Sequence, residues 1–293
     1  MDIESKKFLG QPKNFVSIFN ALLFDGQSVL KPEYLKDENS ELVMNVSSKH
    51  VDIIKRYEDG TYLDLFVIES QSYVDQCMVA RVMEYESVAR MRYIRQNFKK
   101  HVPMHTRLPM ILTVVLYVGE SKWNAAKRLS ELEIIHPGFE DMFNEFKLNL
   151  IELNTNHKYN TGEKATQDFF DLLRMIYRKQ ILKENLDREF NRDALYFAYV
   201  VTKNKELLNI YQESEKGDVK VCRALDEMFE ESTNKGIQMG IKQGIEKGVK
   251  RGVKNTQIKI AIKMLVRNNQ TLEEISEIVG LDLDALKELK KSI

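Results

Sequence analysis

The stretch HVDIIKRYEDGTYLDLFVIESQS, residues 50–72, predicts two consecutive β-strands and is the strongest indication of the fold. The first strand covers residues 50–57 and the second covers residues 61–69, with the turn-forming pair Asp59-Gly60 between them. The second strand has apolar β-forming residues on both faces, which is typical of an interior strand that other elements cover on both sides. The stretch therefore predicts an antiparallel hairpin whose second strand lies inside a sheet.

The pairing register of this hairpin places polar residues on one face. A two-residue turn at Asp59-Gly60 puts Asp52 opposite Val67. Because residues two apart on a strand share a face, that face then carries Asp52, Glu69 and Gln71. Asp52 and Glu69 become diagonal neighbours, about 7 Å apart at Cα. Two carboxylates this close either repel each other, which raises their pKa values, or share a cation.

A shared divalent cation is the interpretation that gives this pair a chemical role. Mg²⁺ is held by one or two carboxylates, and it polarises a phosphate and lowers the pKa of a bound water. Gln71 could orient that water or bind the phosphate. His50 shares the face of Asp52 and could approach Glu69, either as a ligand or as a structural histidine. The alternative is that both acids are solvated residues of a hairpin edge, where Asp and Glu are common.

The sequence on either side of the hairpin predicts a crossover. Residues 13–24 have apolar side chains at helical spacing, and Asp25-Gly26 ends this helix. Residues 75–98 predict another helix, and the β-branched run at 110–119 predicts a buried strand. A strand, a helix and a strand in this order favour a crossover unit. Further along, the sequence predicts a short helix, a strand and a group of packed helices, at residues 123–132, 146–153 and 164–232.

The C-terminal part of the chain contains a four-residue repeat. Between residues 233 and 254, glycine recurs at every fourth position and is followed each time by Ile or Val, and six basic residues stand against one acidic residue. The repeat is either a flexible basic linker helix or a surface for self-association or for contact with the DNA backbone. Residues 255–293 predict three short helices, of which the middle one opens with a capping box from Thr271 to Glu274. The last helix begins with acidic residues, which favours a role in packing or oligomerisation over a role as a DNA-recognition helix.

The composition of the 293-residue chain excludes several classes of protein. Its 44 basic residues balance its 44 acidic residues, which argues against a uniformly basic DNA coat, although clustered basic residues can still bind DNA. No apolar window approaches the length of a membrane span, and residues 1–10 lack the apolar core of a secretory signal. Cys77 and Cys222 are far apart, which indicates neither a disulfide framework nor a zinc site. We therefore expect a cytoplasmic protein with no membrane partner.

Several stretches in combination resemble the Rpn family of recombination-promoting nucleases, a branch of the PD-(D/E)XK nucleases that is often labelled as transposases. The most specific stretch runs from Asp52-Ile-Ile-Lys-Arg through an acidic turn and a hydrophobic strand to Glu69-x-Gln71-Ser. The glycine repeat and the tail also resemble many members. The other similar stretches are the helix and loop at 21–35, the helix with Arg81 and Tyr85, and LPMILTVVLYVGESKW at 108–123.

The resemblance implies a metal-dependent DNA endonuclease. Its fold would be an α/β, restriction-endonuclease-like core of αβββαβ type, a mixed sheet flanked by helices, followed by an all-helical C-terminal region. It implies that Asp52 and Glu69 bind Mg²⁺ or another divalent cation. Gln71 stands where the wider superfamily has lysine, and because it carries no charge it would orient water. Candidate residues for the DNA phosphates, each of which could instead lie on a solvated or core face, are Lys55, Arg81 and Arg92, with Tyr85 as support.

One departure from the family pattern keeps a second function open. Ser17 stands where related sequences often carry an acidic residue on the first helix, and Asn20 or Asp25 would have to compensate for it. Without that acid the protein could be a weakened or inactive nuclease fold that binds DNA, or its own copies, through the C-terminal helices. The expected divisions are a nuclease-like core at 1–160, a helical region packing on the core at 161–232, and the basic glycine-repeat helix with a small helical tail at 233–293.

Overall fold

The structure, a computed structural model, divides into two compact units, Met1–Glu227 and Met228–Ile293. The first unit contains a sheet with helices around it, and the second contains helices. Among the helices that the structure describes, none has the length and apolar composition that a lipid bilayer requires of a spanning segment. The described residues are 3–37, 53–60, 63–98, 101–180, 188–214 and 217–293.

A five-stranded mixed sheet forms the centre of the first unit. The strands lie across the sheet in sequence order, antiparallel from the first to the third and parallel from the third to the fifth. The third strand is therefore an interior strand, as its two apolar faces predict. The strands are β1 (Leu35–Asp37), β2 (Ile53–Glu58), β3 (Leu63–Gln71), β4 (Ile111–Tyr117) and β5 (Asn149–Glu152).

Helices precede, connect and follow these strands in the sequence. The third helix joins β3 to β4, which confirms the predicted crossover, since parallel neighbours need a long connection. The helices are α1 (Ile3–Leu9), α2 (Pro12–Phe24), α3 (Met78–Asn97), α4 (Lys164–Arg178), α5 (Arg192–Thr202), α6 (Lys205–Glu213) and α7 (Cys222–Arg267).

The two faces of the sheet pack against different helices. On one face, Phe66 of β3 lies 4.8 Å from Phe19 of α2, measured between ring centroids. On the other face, α3 contributes Tyr85 and Ala89 to a buried cluster with the sheet. The sheet residues of that cluster are Ile54, Leu65, Val67 and Ile111. Burial from both sides explains why β3 lacks the polar and apolar alternation of a half-exposed strand.

The hairpin register differs from the predicted one by two residues. Glu58 pairs with Leu63, so four residues connect the strands, and the predicted two-residue turn at Asp59-Gly60 is wrong. Val67 consequently pairs with Ile54. Because side chains alternate with a period of two, a slip of two residues leaves every residue of the strands on its predicted face. The hydrophobic pattern cannot distinguish the two registers, which is why the prediction failed in this detail.

Two other predicted elements are corrected. The helix expected at 123–132 is a loop with a single 3₁₀ turn, Leu129–Glu131. The Glu131 carboxylate accepts a hydrogen bond from the Lys127 backbone N–H at 2.8 Å, and Arg128 forms a β-bridge with Lys147, so the backbone groups are satisfied outside a helix. The region expected to be purely helical contains a two-stranded sheet, β6 (Glu189–Phe190) and β7 (Val219–Lys220), which is too short to leave a periodic pattern.

Aromatic rings and a buried ionic cluster hold the helical part of the first unit together. Phe8 of α1 has its ring centroid 5.7 Å from that of Phe169 in α4 and 4.7 Å from that of Phe197 in α5. Asp168 of α4 is fully buried and pairs with Arg188 just before β6. These contacts confirm that residues 164–232 contain several packed helices.

The second unit is built from the C-terminal part of α7 and two short helices, α8 (Leu272–Val279) and α9 (Leu283–Lys291). The capping box is confirmed, since Thr271 and Glu274 exchange side-chain and backbone hydrogen bonds. The glycine repeat lies within α7 and is helical throughout, and its Ile and Val side chains are exposed. The small core of this unit contains Ala261, Leu265, Ile275, Val279 and Leu286.

Candidate active site

Glu69 and Gln71 lie near the C-terminal end of β3, on the face that α3 covers. Their register partners in β4 are Val115 and Tyr117. Each of the two polar residues is only 4% exposed. An interior strand rarely buries two polar side chains two residues apart, because each loses its hydration. Glu69 and Gln71 therefore stand out from the apolar side chains that surround them in β3.

An arginine from α3 reaches this position. Arg81 Nη2 lies 3.3 Å from Glu69 Oε1, and its Nη1 donates a hydrogen bond to Asp75. The Tyr85 hydroxyl, one turn further along α3, accepts hydrogen bonds from Arg81 Nη2 at 2.7 Å and Nε at 3.1 Å. The Asp75 carboxylate also accepts the backbone N–H of Cys77 at 2.9 Å, a turn that leads into α3. The loop between β3 and α3 thus brings Glu69, Asp75, Arg81 and Tyr85 together.

The charge of Arg81 is secured by its neighbours. Burial opposes this charge, but the hydrogen bonds with Asp75 and then with Tyr85 raise the pKa of the guanidinium above its ordinary value. Burial also raises the pKa of the Tyr85 hydroxyl, and the hydrogen bond from Arg81 offsets only part of that effect. At neutral pH the site therefore contains a permanent cation and a protonated tyrosine.

The side chain of Gln71 offers an unused hydrogen-bond donor. Its backbone carbonyl accepts from the Val118 N–H at 2.9 Å, but its side-chain Nε2 has no partner among the residues that the structure describes. A buried donor without a partner costs about 1–3 kcal/mol. The Gln71 Nε2 donor is therefore available for a hydrogen bond to a small polar group.

The loop after β4 closes around the ends of β3 and β4. Gly119 has no room for a side chain, since a Cβ there would lie 2.5 Å from Tyr117 Oη and 2.6 Å from the Ser72 carbonyl oxygen. The Trp123 ring packs edge-on against the Tyr117 ring, with centroids 5.1 Å apart. The Tyr-Val-Gly stretch and the following tryptophan thus hold the backbone next to Gln71.

The site residues can be compared with what a divalent cation requires. Asp52 and His50 lie outside the described residues, and within those residues no cluster of three or more His, Cys, Asp or Glu side chains is arranged for a metal. A Mg²⁺ site needs only one or two carboxylates, because water and phosphate oxygens complete its shell. The buried carboxylate of Glu69 is the kind of oxygen ligand that such a site uses, and the Gln71 amide N–H is suited to a water or phosphate oxygen of the shell rather than to the cation.

Lys55 and Arg92 differ in their relation to this face. Lys55 pairs with Phe66 and points to the opposite face of the sheet, where its Nζ lies 2.5 Å from Asp37 Oδ1. It therefore does not join Glu69. Arg92 is half-buried on α3, 11 residues after Arg81, which places it on the same helical stripe about 16 Å away.

Ser17 and Asn20 take part in structural contacts of α2. The Ser17 hydroxyl lies 2.8 Å from the Asn14 carbonyl oxygen and 2.8 Å from the Thr166 hydroxyl of α4. The Asn20 side chain exchanges two hydrogen bonds of 2.9 Å with the backbone of Leu30 and fixes the loop after α2. Asp25 ends α2, as predicted, and it adopts a left-handed conformation. In the described structure these polar groups hold α2 to its neighbours.

Sequence reasoning missed Asp75. An aspartate just before a helix is a common capping residue, so its position alone did not distinguish it. The signal that could have found it is the combination of Asp75 with Arg81 and Tyr85, six and ten residues further along the chain.

The comparison with protein families matches residues 6–206, more than half of the chain, to the family described as "Putative transposase, YhgA-like". Searches of curated proteins and of solved structures give no significant match. The matched region contains the whole five-stranded sheet and the Glu69 site. The chain therefore belongs to the YhgA-like transposase family, a member of the Rpn group of PD-(D/E)XK proteins.

Proposed function

We propose that this protein is a metal-dependent DNA endonuclease with a PD-(D/E)XK core, and that its biological role is associated with mobile DNA or recombination. The observation that carries the proposal is the buried pair Glu69 and Gln71 on an interior strand, next to the charged Arg81. The order of elements supports it, because α2, β1, β2, β3, α3 and β4 follow the αβββαβ pattern. Membership of the family supports it independently.

Each residue has a defined task in this proposal. Asp52, which precedes β2 in the sequence, and Glu69 would hold Mg²⁺ or a similar ion. When bound, the cation would polarise the scissile phosphate and lower the pKa of a water. Gln71 donates its free amide N–H to the attacking water or to a phosphate oxygen. Arg81 supplies a fixed positive charge that offsets the charge of the incoming DNA backbone.

Burial makes these interactions stronger than they would be at the surface. Glu69 and Gln71 are both buried, and in a protein interior the effective dielectric constant is lower than in water. Hydrogen bonds with Tyr85 and Asp75 hold the charge of Arg81 in place before DNA binds, which reduces the reorganisation needed at the moment of reaction.

Cleavage of supercoiled plasmid with Mg²⁺ tests the proposal. We expect nicking by the wild type, and no cleavage above background with Asp52→Ala or Glu69→Ala at matched folding. Chelation of the cation with EDTA should abolish activity in the wild type. Unchanged activity in both variants would refute the site assignment.

A second function is favoured by one observation. The Ser17 hydroxyl is committed to contacts with Asn14 and Thr166, so the position that carries an acid in related sequences is structural here. A folded sample without activity with any divalent ion would support a non-catalytic protein that binds DNA or its own copies. The exposed Ile and Val side chains of α7 would then be the candidate surface for self-association. Sedimentation of the wild type and of Ile241→Asp would test that surface.

A further inference from the structure

The guanidinium of Arg81 lies between two carboxylates that come from different segments. Glu69 belongs to β3 and Asp75 to the loop that follows it. The Arg81 side chain is 17% exposed and that of Glu69 is 6% exposed, so the three charges interact with little solvent between them. Such a group holds a permanent cation beside the carboxylate that the proposed function gives to a metal ion.

The two contacts of Arg81 are unequal. Nη1 of Arg81 donates a hydrogen bond to Asp75, whereas the 3.3 Å between Nη2 and Glu69 Oε1 is at the long end of the range for a hydrogen bond. Tyr85 accepts from Nε and from Nη2, which fixes the plane of the guanidinium. Asp75 is itself fixed by the Cys77 N–H. Arg81 is therefore held mainly by Asp75 and Tyr85, and Glu69 receives the weaker contact.

We propose that Asp75 is a positioning residue that draws the charge of Arg81 away from Glu69 and so keeps the Glu69 carboxylate available to a divalent cation. This inference rests on the proposed function. Arg81 and the cation are both positive and both face Glu69, so each weakens the binding of the other. Asp75 reduces that conflict by holding Nη1 of Arg81 away from Glu69, while Tyr85 fixes the plane of the guanidinium.

The proposal predicts opposite effects for the two members of the pair. In Asp75→Asn, the guanidinium of Arg81 loses the carboxylate that holds its Nη1 and turns toward Glu69, and we expect Mn²⁺ to bind about ten-fold more weakly than to the wild type. In Arg81→Gln, the competing charge is gone, and we expect Mn²⁺ to bind about ten-fold more tightly. The double variant should behave as Arg81→Gln, because Asp75 acts through Arg81. Loss of packing alone would weaken binding in both single variants.

Mn²⁺ binding to the full-length protein, measured by isothermal titration calorimetry without DNA, tests these signs. Glu84→Gln is the matched control, because Glu84 is an exposed carboxylate on α3. Glu69→Gln reports on the proposed function, since its affinity should fall if the cation binds there. An Asp75→Asn variant with wild-type affinity, or a double variant that binds more weakly than Arg81→Gln, would overturn the role of Asp75. Wild-type affinity in Glu69→Gln would overturn the metal site instead.

A metal-free measurement tests the same inference independently. In EDTA, the coupling free energy between Arg81 and Glu69 is obtained from the thermal stabilities of the two single variants and the double variant. We expect this coupling to become larger in the Asp75→Asn background, because Arg81 then has Glu69 as its main carboxylate partner. An equal or smaller coupling in that background would contradict the proposal, whether or not the protein binds Mn²⁺.

Discussion

Replacing Gly119 with alanine tests whether the loop after β4 is fitted around a position without a side chain. A Cβ at this position would lie 2.5 Å from Tyr117 Oη and 2.6 Å from the Ser72 carbonyl oxygen. Ordinary contact begins near 3.5 Å, so the neighbours would have to move by about 1 Å. The Ser72 oxygen belongs to the backbone and cannot rotate away.

The size of the effect follows from this overlap. Overpacking of a filled site costs about 1–3 kcal/mol. For a unit of this size each kcal/mol lowers Tm by about 2–4 °C, so we expect a decrease of about 5 °C. Because Ser72 directly follows Gln71, the same displacement should also move the Gln71 amide and lower the nicking rate at temperatures where the variant is fully folded.

Differential scanning calorimetry provides the assay, with Gly244→Ala as the control. Gly244 lies in α7, and a Cβ there meets nothing within 4 Å. Alanine should therefore stabilise that helix, by about 1 kcal/mol, rather than strain it. A Gly119→Ala protein that unfolds at the wild-type temperature would show that the loop has room for a side chain at this position.

The remaining predictions concern buried charges and one helix cap. Asp168→Asn should destabilise the first unit by about 3 kcal/mol in urea unfolding, because it leaves Arg188 with a weakened buried partner, and a loss below 1 kcal/mol would contradict a structural role. Burial raises the pKa of Glu86 above 4.5. Protonated Glu86 therefore stabilises the folded state at low pH, and this stabilisation is lost as pH rises through the pKa of the folded state. Glu86→Gln should therefore raise Tm at pH 7 but not below pH 4.5. An equal increase in Tm at both pH values would contradict a destabilising charge on Glu86. Thr271→Ala should cost about 1 kcal/mol, seen as lower protection of α8 in hydrogen exchange, and unchanged protection would exclude a stabilising cap.

The sequence predicts which face of the sheet carries the candidate site, but it does not identify all the residues of that site. Alternation along β3 was enough to place Glu69 and Gln71 together, because side-chain direction survives a register error of two residues. The same alternation puts Lys55 on the opposite face, so its grouping with the site could have been rejected from the strand pattern. Asp75 could not be identified, since its contact with Arg81 depends on how the loop turns into α3.

The errors in the fold have a similar cause. Residues 123–132 have helix-compatible composition, but the buried Trp123 donates its ring N–H to the Ala125 carbonyl at 3.0 Å and its backbone N–H to Glu152 at 2.8 Å. These tertiary contacts outweigh a short helical preference. The glycine repeat shows the opposite case, because α7 continues through it despite the low helix propensity of glycine.

The most direct test of the central claim is the initial rate of Mg²⁺-dependent plasmid nicking by Glu69→Gln and Glu84→Gln, measured against the wild type in samples with matching unfolding curves. Both variants remove one carboxylate, but only Glu69 is buried on β3 beside Gln71 and Arg81. We predict a rate at least about a hundred-fold lower for Glu69→Gln and a wild-type rate for Glu84→Gln. Equal rates in the two variants would contradict the claim that Glu69 belongs to a nuclease active site.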